Sequence, residues 1–158
     1  MTYKEMKDRQ QAEINAFPFI WAFNENQFAD GMRRLGLDPT ADRGQIVHVG
    51  GGGYIRKADK KALEDLFAKH RRELQEAIAA DKTGDGFIYD MFYTELANHE
   101  YSYTMDLGEG IAACGLTVEQ INADRSFIRG LKNSADELKD AYEKCRELKS
   151  TRLFYALF

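Results

Sequence analysis

The chain has 158 residues, 44% hydrophobic and 12% aromatic, with 22 Lys and Arg against 26 Asp and Glu for a formal net charge of −4. That is apolar material for one core in too little length for two independent domains, which excludes a disordered protein and leads us to expect one domain over residues 1–158. The acid excess argues against a general nucleic-acid binder, which needs surplus cations to displace counterions, so a basic protein partner fits better and no direct sequence-specific nucleic-acid binding is expected.

Thr2-Tyr3-Lys4-Glu5 fits a capping box opening a polar helix to about residue 16, whose apolar positions, Tyr3, Met6 and Ile14, form a thin stripe that suggests a peripheral helix or one that needs a partner surface to pack on. Pro18 breaks it. Phe19 to Phe23 then reads as a short aromatic strand, most simply core; the alternative is that Phe17, Phe19 and Trp21 form an exposed anchor for a protein partner. Asn24 caps a helix through Arg34, with Gln27 at its third position and Phe28, Met32 and Leu35 on one face; Gly36 stops it, and Asp38-Pro39-Thr40 turns the chain.

Residues 45–49 and 54–57 are β-prone runs joined by four glycines, a hairpin. A phosphate-binding loop needs Lys then Ser or Thr, or a helix, after the last glycine; Tyr54-Ile55 continues as strand instead. His48 sits in that strand without a metal companion. Asp59 is placed to cap an amphipathic helix with Leu63, Leu66, Phe67, His70, Leu74, Ala77 and Ile78 at spacings of three and four. His70 falls beside that stripe as a partly buried residue, while Lys69, Arg71 and Arg72 read as a solvated face balanced by Glu73 and Glu76.

Asp81-Lys82-Thr83-Gly84-Asp85-Gly86-Phe87-Ile88 resembles a calcium loop, with oxygen-bearing side chains at the first, third and fifth positions, Gly at the sixth and an apolar residue at the eighth. The twelfth position, where a bidentate Glu completes the shell, is Phe92, and Glu95 lies too far along to replace it. The missing carboxylate favours a tight turn whose Asp85 caps the next helix, running to about Tyr101. Glu95 and His99, at i and i+4, share a helix face and read as a hydrogen-bonded pair. A metal site using Asp81, Asp85, Asp90, Glu95 and His99 stands as the alternative.

Ser102 to Met105 reads as a connection, Asp106 caps a small helix through Cys114 that Gly115 stops, and Thr117-Val118-Glu119-Gln120 is a second capping box. Asp124 caps a long helix over residues 126–150 with Phe127, Leu131, Leu138, Tyr142, Cys145 and Leu148 on one stripe, packing on the core or against the helix at 59–80. Cys114 and Cys145 both fall on apolar faces and are expected to be reduced and structural. The apolar tail at 151–158 should dock on the body or in a second subunit, giving a homo-oligomer. No apolar run approaches the roughly 18 residues that span a bilayer, so no membrane association and a cytoplasmic location are expected.

The opening Thr2 to Gln11, the segments Phe28 to Met32 and Leu35 to Leu37, the hairpin at 50–57 and the stretch from Ala80 to Tyr103 together resemble a family of small proteins. These are carried by phages, plasmids and conjugative elements of Firmicutes and described mostly as a domain of unknown function. The resemblance covers roughly residues 2–125. The family is similar to, and taken to include, anti-CRISPR inhibitors of Cas9, which implies a stoichiometric protein in a bacterial cytoplasm. It would bind Cas9 or its guide-RNA complex and block DNA recognition or cleavage. The resemblance implies no catalytic residue and no cofactor.

An acidic protein could cover the cationic channels that hold guide and target. Candidate contacts are Glu64 with Asp65, Asp81 with Asp85 and Asp90, and Asp136 and Glu137 with Asp140, each of which also reads as an ordinary solvated face. The fold expected is α+β, mostly helical, with a small antiparallel sheet built on the hairpin and the strand near residues 19–23.

Overall fold

A computed structural model describes the backbone of residues 1–156 and the side chains of residues 1–146. The fold is the expected α+β one, mostly helical with one antiparallel three-stranded sheet. The elements are α1 (Tyr3–Ala16), β1 (Ile20–Trp21), α2 (Glu25–Arg34), β2 (Ile46–Gly50), β3 (Gly53–Arg56) and α3 (Lys60–Ala80), then α4 (Phe87–Asn98), α5 (Tyr101–Thr104), α6 (Gly108–Ala113), α7 (Val118–Ala123) and α8 (Arg125–Ala156). The chain packs as two compact units, one of residues 8–74 and one of residues 1–7 with 75–158, so the boundary falls within α1 and α3.

Local signals place most element ends. The Thr2 hydroxyl accepts from the Glu5 N–H at 3.1 Å while the Glu5 carboxylate accepts from the Thr2 N–H at 2.8 Å, the reciprocal capping box. Thr117 and Gln120 repeat it at α7. Asn24 caps α2 by accepting from the Gln27 N–H at 2.9 Å, and at the other end Gly36, at φ +75°, donates back to Arg33 O. Asp124 receives the Ser126 N–H at 2.8 Å and opens α8. Asp59 does not cap α3: a 3-10 turn, Lys57–Asp59, precedes that helix, and the carboxylate pairs with Arg56 at 2.7 Å instead.

In the unit of residues 8–74 the sheet order is β1-β3-β2, with Ile20 opposite Tyr54 and Val47 opposite Ile55. Ile20, Ala22, Met32 and Ile46 form the core, with Phe28, Leu35, Leu37 and Tyr54 against it. A side chain at Gly31 would place its Cβ 2.2 Å from Ile20 Cγ2, so α2 lies on the sheet at a distance only glycine permits. Strand alternation corrects the simple reading of the aromatic run as core. Ile20 and Ala22 point inward, which turns Trp21 (55% exposed) and Phe23 (79% exposed) outward, with Phe17, Phe19 and Trp21 in a tilted row at centroid spacings of 5.2 Å.

In the other unit α4 is the central helix. Its Ile88, Met91, Phe92 and Leu96 are fully buried, and it lies against α8 and α6. Phe92, the residue that breaks the calcium pattern, meets the Phe127 ring of α8 edge-on at 6.3 Å. The packing partner of α8 is therefore α4 rather than the helix at 60–80. Leu138 is buried in its interface with Leu96 and Ala135, whereas Cys145 is exposed, which corrects the expectation that both cysteines lie on buried faces. Tyr3 and Met6 of α1 are buried, so of the two readings of its thin stripe the one with a packing surface holds and the peripheral one does not. The backbone of α8 runs helically to Ala156; Leu148 of its stripe and the tail at 151–158 lie outside the residues whose side chains are described.

Candidate functional site

Asp81 follows the last residue of α3 and its carboxylate gathers the loop around itself. Oδ1 accepts from the Thr83 N–H and hydroxyl, both at 3.1 Å, and from the Gly84 N–H at 2.9 Å; Oδ2 accepts from the N–H groups of Gly86 and Ile88, both at 3.0 Å. Burial alone would raise its pKa, and these hydrogen bonds together outweigh it and hold the group below the usual range. Asp81, not Asp85, therefore caps α4, because its oxygens reach over the turn to the second residue of the helix. Asp85 points to α8 instead, where it pairs with Arg129 and accepts from Asn133 at 3.1 Å.

Gly84 makes the turn at φ +79° and is buried; a Cβ there would fall 2.0 Å from Ser126 O. Across the joint, a Cβ at Gly130 would meet Gly84 O and Ile88 Cγ2, each at 2.8 Å. The two glycines let the loop backbone press onto the first turns of α8. Packing thus requires glycine at 84 and 130, whereas a Cβ at Gly86 would come no closer than 3.4 Å to the Asp81 carboxylate.

The remaining carboxylates of the metal alternative take separate partners. Asp90 accepts the Tyr3 N–H at 2.6 Å, and Glu95, 7% exposed, accepts the Tyr3 hydroxyl at 2.5 Å with Lys7 Nζ at 3.9 Å. Burial first, and then the Glu95 carboxylate, push the Tyr3 phenol far above its ordinary pKa; the same two causes raise the buried Cys114 thiol to about 12. His99 follows the end of α4 and lies 3.4 Å from Glu109, so the i, i+4 pairing with Glu95 does not form. Among the described residues, no three His, Cys, Asp or Glu side chains converge as a metal centre would require.

Of the acidic contact candidates, Asp136, Glu137 and Asp140 are exposed on α8, and Glu137 accepts the Tyr89 hydroxyl at 2.5 Å. Burial and that bond raise the Tyr89 pKa. Glu64 and Asp65 pair along α3 with Lys60 and Lys61. Asp81 and Asp90 are half-buried and occupied as described, so the three clusters are not equivalent.

The sequence reading missed the long-range polar contacts. Glu13 of α1 lies 2.8 Å from Lys69 and 2.7 Å from His70 Nε2 of α3, and Arg9 lies 2.8 Å from Glu73. Hydrogen bonds from Lys69 and then His70 hold the Glu13 pKa down to about 2. Only the polar spacing of α1, with Arg9, Gln10 and Glu13 on adjacent turns, hinted at a charged interface. His48 stays in β2 with its ring 4.8 Å from that of Tyr54.

A family of unknown function, DUF7659, matches residues 2–137. The chain belongs to the DUF7659 family. The match includes the whole Asp81 loop, its glycine joint with Gly130, and the sheet unit, and it ends within α8 at Glu137. Asp140 and the rest of α8 lie beyond the DUF7659 match. No curated protein and no solved structure matches the chain.

Proposed function

We propose that this DUF7659 protein is a non-enzymatic inhibitor from a mobile genetic element. It binds a CRISPR effector, Cas9 or its guide-RNA complex, in the bacterial cytoplasm and blocks DNA recognition or cleavage. The observation that carries this reading is the distribution of charge. Residues 8–74 hold 11 Lys and Arg against 10 Asp and Glu, whereas residues 1–7 and 75–158 hold 11 against 16. The acid excess belongs to one unit, where Asp136, Glu137 and Asp140 stand exposed on α8. Such a unit suits a partner whose own work requires a cationic groove.

The groups that would have to do chemistry are occupied inside the fold, which supports binding over catalysis. Glu95 is held by Tyr3, His70 by Glu13, and the Cys114 thiol is kept protonated.

A pull-down of Cas9 with and without guide RNA, paired with a DNA-cleavage assay, tests the reading. A stable complex is expected, with cleavage falling as the protein reaches stoichiometric amounts. No complex and full cleavage at excess protein would sink it.

A further inference from the structure

In the sheet unit, an open cleft of about 450 Å³ lies between β1, the start of α2 and the centre of β3. Phe23, Phe28 and Tyr54 line it, together with Asn24, Glu25 and Arg43. The volume is within the roughly 300–1,000 Å³ of ordinary ligand pockets. Its aromatic walls are held in place: the Phe28 and Tyr54 rings meet edge-on at 4.9 Å, the Phe23 N–H is bound by Gln27 at 2.8 Å, and the Phe23 ring lies against Gly52 so closely that a Cβ there would fall 2.6 Å away. Phe23 is thus an exposed wall whose backbone is tied to Gln27 and whose ring rests on Gly52.

The chain itself shows what chemistry this cleft accepts. The Arg43 guanidinium stands over the Phe28 ring, 5.3 Å from its centroid, and pairs with the Glu25 carboxylate, while Arg43 Nε donates to Pro39 O at 2.9 Å. An aromatic face with a carboxylate beside it is the arrangement that recognises a planar cation. Arg43 fills part of it from an exposed segment between α2 and β2, and both members of the pair are substantially open to solvent at 49% and 70%.

We propose that this cleft is a receptor for an arginine side chain of a partner protein, which displaces Arg43 from Glu25 and Phe28 and slots between Phe28 and Phe23. The exchange replaces one guanidinium by another, so Arg43 acts as a built-in competitor. Lysine is the poorer ligand because its ammonium is more strongly hydrated and lacks the planar fork. The site does not depend on the partner being a CRISPR effector.

The test titrates acetyl-Gly-Arg-Gly-amide, and its lysine counterpart, into the full-length protein while following backbone amide resonances by NMR. Saturable shifts are expected at Phe23, Glu25, Phe28 and Tyr54. Arg43→Ala should tighten arginine-peptide binding by about fivefold, and the double variant Arg43→Ala, Glu25→Gln should lose that gain. The lysine peptide should bind more weakly in every case. Unchanged affinity in Arg43→Ala, or a double variant that keeps the gain, overturns the proposal, as do shifts confined to α8. Both substituted side chains are exposed, so amide spectra that keep their dispersion verify folding. A negative Cas9 assay with positive peptide results would dismiss the proposed function and leave the arginine site standing.

Discussion

The carboxylate of Asp81 already receives five hydrogen-bond donors, so a divalent cation would have to displace them before gaining an oxygen ligand. Calorimetry with calcium, magnesium, manganese and zinc on chelator-treated protein is accordingly expected to show no saturable heat. Asp81→Ala should cost about 2 kcal/mol in denaturant unfolding, because it strips the cap from α4 and the anchor from the loop. Tyr3→Phe leaves the buried Glu95 without its hydroxyl donor and should destabilise by about 1–3 kcal/mol. Glu13 bears on acid sensitivity. Its folded pKa, about 2, lies below the ordinary 4.5, so its contribution is present above about pH 4.5 and is lost as pH falls through that window. Urea midpoints measured from pH 5 to pH 2 should fall more steeply for the native protein than for Glu13→Gln. At this scale the sequence was misleading in an instructive way: it identified the right loop but assigned the cap to Asp85, since spacing cannot tell which of two nearby aspartates faces the turn.

Elements meet where side chains are missing. The joint between the Asp81 loop and α8 depends on Gly84, whose positive φ and contact with Ser126 O leave no room for a methyl. Gly84→Ala should therefore lose about 2–5 kcal/mol, the sum of left-handed strain and overpacking, read from denaturant midpoints at unchanged slope. The short helix α5 shows the opposite case. It is bracketed by Glu100 at φ +55° and Met105 at φ +57°, conformations that favour glycine. Glu100→Gly is expected to stabilise by about 0.5–1 kcal/mol, relief of strain less the added freedom of the unfolded chain. That kink also explains why α4 stops at Asn98, short of the expected end near Tyr101. Capping boxes and glycine stops were legible because they are local, with both partners three or four residues apart in the chain. The backbone reversal at Glu100 had no such signal.

For the whole molecule, the formal charge of −4 conceals a nearly balanced sheet unit and an acidic helical one. If the acidic unit makes the contact, effector binding should weaken as salt rises from 50 to 500 mM, and Asp136→Lys with Asp140→Lys should weaken it further, mainly by slowing association. The sequence by itself determined the fold class, the hairpin, the order of the helices apart from the short α5 at Tyr101–Thr104, which read as a connection, and most of their caps, because hydrophobic period, turn chemistry and capping act within a few residues. Only the tertiary structure decided that α8 packs on α4, that Tyr3 satisfies Glu95 from the far end of the chain, and that Trp21 and Phe23 face outward. It also decided that the calcium-like loop is a glycine joint. Each of those depends on which surfaces meet, and a buried polar group or close backbone approach is specified by partners dozens of residues away.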